Sequence, residues 1–520
     1  MKRIMSLVLA AMVTVLSFAS ISTAEEPKTF RIGMNSDPES LDPHMQLSGP
    51  ILAYSHWVFD PLVRWTKDMT FEPRLAESWE QIDPLTIRFH LRKGVKFHSG
   101  NEMTATDVAW SLKRMMEAVD FKALFVKFGE PKVIDDYTID IVTLEPYGLV
   151  MNLATYIFPM DSKFYTGTDD QGSPKDIISK TGHAFANDNA SGTGPFMVVS
   201  REHGVKLVLK ANPNYWGTKG NVDVIELTPI KNDATRIAAI LKGDVDFITP
   251  VPVQDYDQLN DNADVDLITM SSTRIITFQL NQERAPALAD PRVRAAIIAG
   301  TNNQGIVDKV MKGYTTIALQ QAPKGFHGYI EGLAPRFDVE KAKALLKEAG
   351  YADGLTLTMI APNNRYVNDE KIAQAFVSMM ARIGIKINLK TMPKAQYWNE
   401  FDAHAADIQM MGWHPDTEDT ANYGEYLLYT PNADTGMGAY NSGVYSNILY
   451  DALVDASNRE TNPKLRNALL QASEQIAYDE AAYVPLHWEP LSWAARKNIV
   501  NAEEVINAQD FPYFGDLMMK

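Results

Sequence analysis

The chain has 520 residues, with 49 Lys and Arg against 65 Asp and Glu and a formal net charge of −16. That acidic, well-mixed balance argues against nucleic acid and anionic lipid as partners. The length supports several domains, and the absence of cysteine excludes disulfides, thiol catalysis and a lipid-bearing cysteine.

Lys2 and Arg3 open a short positive segment, followed by an uncharged apolar run up to Ser22-Thr23-Ala24. This predicts a cleavable secretory signal over 1–24 rather than a membrane span. Without its two cations the remaining 496 residues carry a net charge of −18. No later segment approaches about 18 uninterrupted apolar residues, so no other span is expected. A freely diffusing exported protein points to a closed compartment, the bacterial periplasm.

Strand and helix signals then alternate to the end, which indicates α/β or α+β domains. Thr86 to Arg92 alternates apolar and polar residues as a half-buried strand, and Gly94 marks a turn. Thr104-Ala105-Thr106-Asp107 resembles a capping box with Asp in place of Glu, opening a helix with Val108, Leu112 and Met115 on one face. Asp290-Pro291 reads as an N-cap followed by proline at the first helical position, and Val293 and Ile297 lie on one side of that helix. Asp338 caps a helix through Ala342, Leu345 and Ala349, closed by Gly350. Ile372, Phe376, Met379 and Ile383 form a core-facing stripe, Gly384 ends that helix, and Ile385 to Leu389 alternates as a strand. Leu465, Leu469, Ala472 and Ile476 repeat the helical spacing, with Pro463 near the start.

Catalytic signatures are missing. There is no G-x-S-x-G elbow, no H-E-x-x-H and no P-loop. Gly192-Thr193-Gly194-Pro195 lacks the third glycine of a dinucleotide fingerprint, and its proline blocks the helix start. The ten histidines are scattered without metal-ligand spacing. Asp416, Glu418 and Asp419 lack the glycine and distal glutamate of a calcium loop. A large exported chain rich in aromatics and without a visible reaction centre suits binding better than catalysis. No cofactor or metal is expected.

Several segments in order resemble the family 5 extracellular solute-binding proteins of dipeptide, oligopeptide and nickel ABC importers. The strongest is Gly94 to Val108, with its basic strand, His-x-Gly turn and Thr-Ala-x-Asp-Val helix start. The others are Ser40-Leu41-Asp42-Pro43, Gly192 to Phe196, Asn212-Pro213-Asn214-Tyr215-Trp216, Gly243-Asp244-Val245-Asp246, Asp290 to Ile297, Lys347 to Tyr351, and Pro485-Leu486-His487. The resemblance implies an α/β, two-lobed periplasmic binding protein fold (type II, the large three-domain variant) with a hinge and a central ligand cleft. It places a first lobe at 25–70, 190–275 and 490–520, an inserted domain at 71–189 and a second lobe at 276–489. It also implies delivery to an inner-membrane ABC permease and ATPase by a monomer that is not itself inserted in the membrane.

The resemblance extends to the ligand. Gly412-Trp413-His414-Pro415-Asp416 is similar to the family loop whose aspartate pairs with the ligand's α-ammonium group, and Asp416 is the matching position. A loop cap is the alternative role for it. Trp413 is expected to line the cleft, and Asp419 is the fallback for the ammonium. Arg365 is the candidate for the ligand carboxylate. Ser48 and Gly49 follow the Leu-Asp-Pro motif, where family members touch the ligand backbone. Tyr397, Trp398, Asn422, Tyr440 and Asn441 are further candidates. The expected ligand is a short peptide. An opine or other amino-acid conjugate, a nickel chelate or a sugar is the alternative on the same fold, and a hydrolase would need a nucleophile–base pair that the sequence does not display. A chaperone or a chemoreceptor carrier on this scaffold is not distinguishable from the sequence.

Overall fold

The computed structural model describes residues 26–520 except 181, 182 and 364. The expected signal segment therefore lies outside the described residues. The strands, in chain order, are β1 (Thr29–Met34), β2 (Val63–Trp65), β3 (Phe71–Pro73), β4 (Ala76–Asp83), β5 (Thr86–Leu91), β6 (Lys132–Asp135), β7 (Thr138–Val142), β8 (Phe196–Glu202), β9 (Lys206–Ala211), β10 (Val224–Pro229), β11 (Phe247–Thr249), β12 (Val265–Leu280), β13 (Leu355–Pro362), β14 (Ile385–Met392), β15 (Ile408–Trp413) and β16 (Val484–Arg496).

Ten strands form one sheet in the order β14-β13-β15-β12-β16-β11-β1-β10-β9-β8. Its middle is two long antiparallel strands, β12 of 16 residues and β16 of 13. They are shared by the two sides of the sheet. One end of β16 pairs with β11 through Phe247–Ala495 and Ile248–Ala494. The far end of β12 pairs with β15 from Ile275 to Leu280. Between these ends the ladder breaks: Ser271 faces Pro490 and Ile275 faces Trp488, so three residues of β12 oppose Glu489 alone. Such bulges bend a strand and re-aim its side chains. Pro490 suits this position because it has no N–H to give to the ladder.

Separate cores lie on the two sides. Phe30, Trp57, Phe247, Trp493 and Phe514 are fully buried in one, and Phe278, Ile297, Phe376 and Met410 in the other. The C-terminal segment returns to the first, where Trp57 stacks on Phe514 at 5.0 Å and donates from Nε1 to the Pro512 carbonyl at 2.7 Å. The four-stranded sheet β4-β5-β7-β6 and the helix Ala105–Glu117 enclose a third core around Phe89, Leu112 and Ile139.

Local signals explain most of these elements. The backbone N–H of Thr104 donates to Asp107 at 2.9 Å, the capping box read from the sequence, and Val108, Leu112 and Met115 are buried. Asp290 and Asp338 cap their helices by accepting from the N–H groups of Arg292 and Lys341. The helix Pro463–Asp479 differs from its predicted phase. Leu465 is 56% exposed, and the buried face is instead Arg466, Leu470, Ser473, Glu474 and Ala477. Two buried ionisable groups with specific partners, Arg466 and Glu474, set the face that apolar spacing alone mis-assigned.

The recognised motifs turn out to be joints. Asp42 is fully buried and receives both Nη groups of Arg114 at 2.9 and 2.6 Å, tying the first core to the helix Ala105–Glu117. His98 accepts at Nδ1 from the Gly192 N–H and its Nε2 meets the Gly194 carbonyl at 3.1 Å, so two distant motifs lock together. Gly192 and Gly194 pass so close to Val58 that a Cβ would lie 2.0 and 2.5 Å from its backbone.

Candidate functional site

A cavity of about 700 Å³ opens beside the bulge in the β12–β16 ladder. One wall comes from Leu47, Gly49, Leu52 and Tyr156, with Gln509 to Phe511 from the C-terminal segment. The opposite wall comes from Arg365, Trp398 and Tyr440 and from the end of β15 and the turn after it, Met411 to His414 and Asp416. Arg274 and Glu489 sit at the back, on the bulge.

The second wall is held by aromatic packing. β15 is buried from Ile408 to Gly412 and delivers Trp413 to the cavity edge. The Trp413 indole donates to Asn422 Oδ1 at 2.9 Å, stacks on Tyr426 at 4.9 Å and lies 4.9 Å from Tyr440. Gly412 is required here, since a Cβ would meet the Tyr366 ring at 2.5 Å.

Asp416 follows this wall. Its carboxylate makes no hydrogen bond or ion pair with any described residue, and it remains accessible from the cavity while protein surrounds it otherwise. Burial raises its pKa and Arg274 partly opposes that rise. Beneath it Glu418 is 2% exposed, and burial together with the nearby Asp416 pushes its carboxyl well above the ordinary range. His414, 3.4 Å from Glu418, is held down to about 3 by burial and by Arg274. Near neutral pH His414 is therefore uncharged, and Asp416 is the carboxyl this turn presents to the cavity.

Two guanidinium groups face the same space. Arg274 Nε pairs with Glu489 Oε2 at 2.9 Å, and Glu489 Oε1 accepts from the Val367 N–H at 3.0 Å. Arg365 lies 4.8 Å over the Tyr366 ring, and its buried Nε has no partner among the described residues. The backbone N–H of Arg365 donates to Asp369 at the start of the helix Asp369–Arg382, which fixes the loop. Asp510 is pushed up to about 7 by burial, and it accepts from the Trp493 indole at 3.2 Å.

Gly49, Arg365, Trp398, Trp413, Asp416 and Tyr440 come together on this cavity. The other candidates do not line it. Ser48 is the N-cap of the helix Gly49–Val58, beside the wall. Tyr397 is fully buried and donates to the Met410 carbonyl. Asp419 caps the helix Thr420–Leu427 and takes both Nη groups of Arg466 at 2.6 Å. Asn422 supports Trp413 from behind. Asn441 bonds the Tyr429 and Tyr445 carbonyls and the Tyr445 N–H, which occupies its amide. Arg274 and Glu489 were not anticipated. Neither lies in a motif, and only the bulge brings them together. Among the described residues no group of three or more His, Asp and Glu side chains could hold a metal ion.

Comparison with known proteins agrees with this architecture. The chain is 29% identical over 463 residues to heme-binding protein A of Haemophilus influenzae, covering 84% of this chain and 82% of that one. It is 27% identical to the probable D,D-dipeptide-binding periplasmic protein DdpA of Escherichia coli K12, over 94% of both chains. The solved structure of HbpA2 from Haemophilus parasuis superposes with a TM-score of 0.82 at 22% identity, covering 95% of this chain and all of that one. The family described as bacterial extracellular solute-binding proteins, family 5 middle, matches residues 70–435. Its members bind solutes and are not enzymes. The chain belongs to the bacterial extracellular solute-binding proteins of family 5.

Proposed function

We propose that this protein captures short peptides, or solutes of the same amino-bearing kind, in the cavity between the two sides of its sheet and hands them to an ABC permease. Asp416 carries the reading. An unpaired carboxylate on an aromatic-walled cavity offers a ligand ammonium its charge partner, and closure around the ligand would strengthen that pair by desolvating it. Arg365, with its unpartnered Nε, is the group for the ligand carboxylate. Trp413 and Tyr440 would pack on the ligand backbone.

The 27% identical relative named for D,D-dipeptides supports a peptide-like ligand. An uncharged sugar would leave Asp416 without a partner. No helix among the described residues is long and apolar enough to cross a membrane, and the same reading takes the protein as a periplasmic monomer. Closure would swing residues 276–489 against residues 25–70, 190–275 and 490–520 about the β12–β16 ladder, with 71–189 riding on the first body.

A thermal-shift comparison tests this. Ala-Ala at about 100 times its Kd should add about 2.7 kcal/mol of stability, and N-acetyl-Ala-Ala, which lacks the ammonium, should add almost none. Equal shifts from both would remove Asp416 from the role.

A further inference from the structure

We infer that the cavity selects a solute with two anionic groups and one ammonium group, such as an acidic dipeptide, and that Arg274 is the residue that selects the second anion. The inference rests on the peptide-like reading above and narrows its ligand class.

Some of the charged groups on the cavity wall already have partners and others do not. Glu489 is occupied on both oxygens, by Arg274 Nε and the Val367 N–H. Asp510 is occupied by the Trp493 indole. Asp402 is exposed and makes no hydrogen bond or ion pair among the described residues. Asp416 is likewise exposed and unpaired among the described residues, and it stands on the wall that carries Trp413 and Tyr440. On the cationic side, Arg365 forms no ion pair and no side-chain hydrogen bond among the described residues, and Arg274 is engaged at Nε only. Both Nη groups of Arg274 therefore retain their donors. A ligand that meets Asp416, Arg365 and the Nη groups of Arg274 together carries one cation and two anions.

The backbone explains why Arg274 serves as a clamp rather than a wandering side chain. Ser272 Oγ donates to the Glu489 carbonyl at 2.7 Å and accepts from the Arg274 N–H at 3.0 Å, so the bulge is closed on both strands. Glu489 then pairs with the guanidinium, its Oε2 lying 2.9 Å from Nε. A planar fork held at Nε presents its two Nη groups as a bidentate anion site, which a lysine cannot reproduce. Position matters as well. The bulge is where the two sides of the sheet meet, so an anion seated on Arg274 lies at the closing axis.

Calorimetry with Ala-Ala, Ala-Glu and Ala-Lys on the full mature protein tests the inference. Wild type should bind Ala-Glu at least tenfold more tightly than either of the others. Arg274→Gln should abolish that preference, bringing the ratio of the Ala-Ala to the Ala-Glu Kd close to one. Arg274→Lys keeps a cation beside Glu489 and should lose most of the preference, and it serves if the glutamine variant fails to fold. Equal affinities in wild type, or a preference that survives both substitutions, would overturn the inference and leave the peptide reading standing. If no dipeptide binds, the peptide reading fails and glutarate decides: a melting-temperature rise in wild type that Arg274→Gln loses supports the two-anion site, and no rise overturns it.

Discussion

Replacing Asp416 with asparagine keeps the shape of the turn and one acceptor oxygen and removes the charge. In the unliganded protein Asp416 has no hydrogen bond or ion pair to lose, and burial already disfavours its charged form. The substitution should therefore leave the melting temperature of the empty protein unchanged or slightly raised. Binding is different. Truncating one partner of a desolvated charge pair costs 2–5 kcal/mol, and the retained carboxamide oxygen places this case at the lower end, about 2–3 kcal/mol. That is roughly a 30- to 150-fold rise in Kd. Isothermal titration with Ala-Ala measures it, and the same ligand should bind wild type less tightly as pH falls through the raised pKa of Asp416. A Kd within threefold of wild type, or a variant that melts far below it, would refute the assignment of a free carboxylate awaiting an ammonium.

Stability should fall between about pH 6.5 and 8. Burial pushes Glu425, Glu474 and Asp510 up to about 7, about 8 and about 7. Unfolded carboxyls titrate near 4, so in this range the folded state holds protons the unfolded state lacks, and each group costs up to about 1.4 kcal/mol per pH unit. The buried histidines His44, His56, His414 and His487, lowered to about 3, 3, 3 and 4, act in the opposite sense but only below about pH 6.5. Glu474→Gln should flatten the alkaline slope in a thermal scan, and an unchanged slope would contradict this. Arg466→Met strands the buried Asp419 and should cost about 3–5 kcal/mol, read as a lowered urea midpoint with ligand affinity intact. Gly194→Ala forces a Cβ to 2.5 Å from the Val58 backbone, which cannot retreat. Loss of soluble protein or a markedly lowered melting temperature is the expected result, and wild-type stability would refute the close approach.

What was legible from the sequence divides along physical lines. Local rules wrote themselves plainly. The Thr104–Asp107 box, the Asp290 and Asp338 caps and the strand Thr86–Leu91 all depend on residues a few positions apart. The segments carrying the family resemblance were also legible, although their job is assembly: Asp42 reaches Arg114, and His98 reaches Gly192 and Gly194, across long stretches of chain. The turn Trp413–Asp416 was legible through that resemblance. Long-range ionic pairing was not. Nothing near Leu465 announces that Arg466 will be buried against Asp419, and that pair rotated the helix from its apolar phase and occupied a residue considered for the ligand. Asn441 was hidden similarly, because an exposed-looking amide in a Gly-rich loop proved to be its brace. Arg274 and Glu489 are over two hundred residues apart in sequence, and only the register break in β12 makes them one site.

The most direct test of the central claim is native mass spectrometry of the protein purified from its native host, followed by denaturation and identification of what is released. Short peptides or amino-acid conjugates bearing a free amino group are the predicted result, with acidic ones over-represented. A single defined solute without an amino group, retained equally by wild type and Asp416→Asn, would contradict the account.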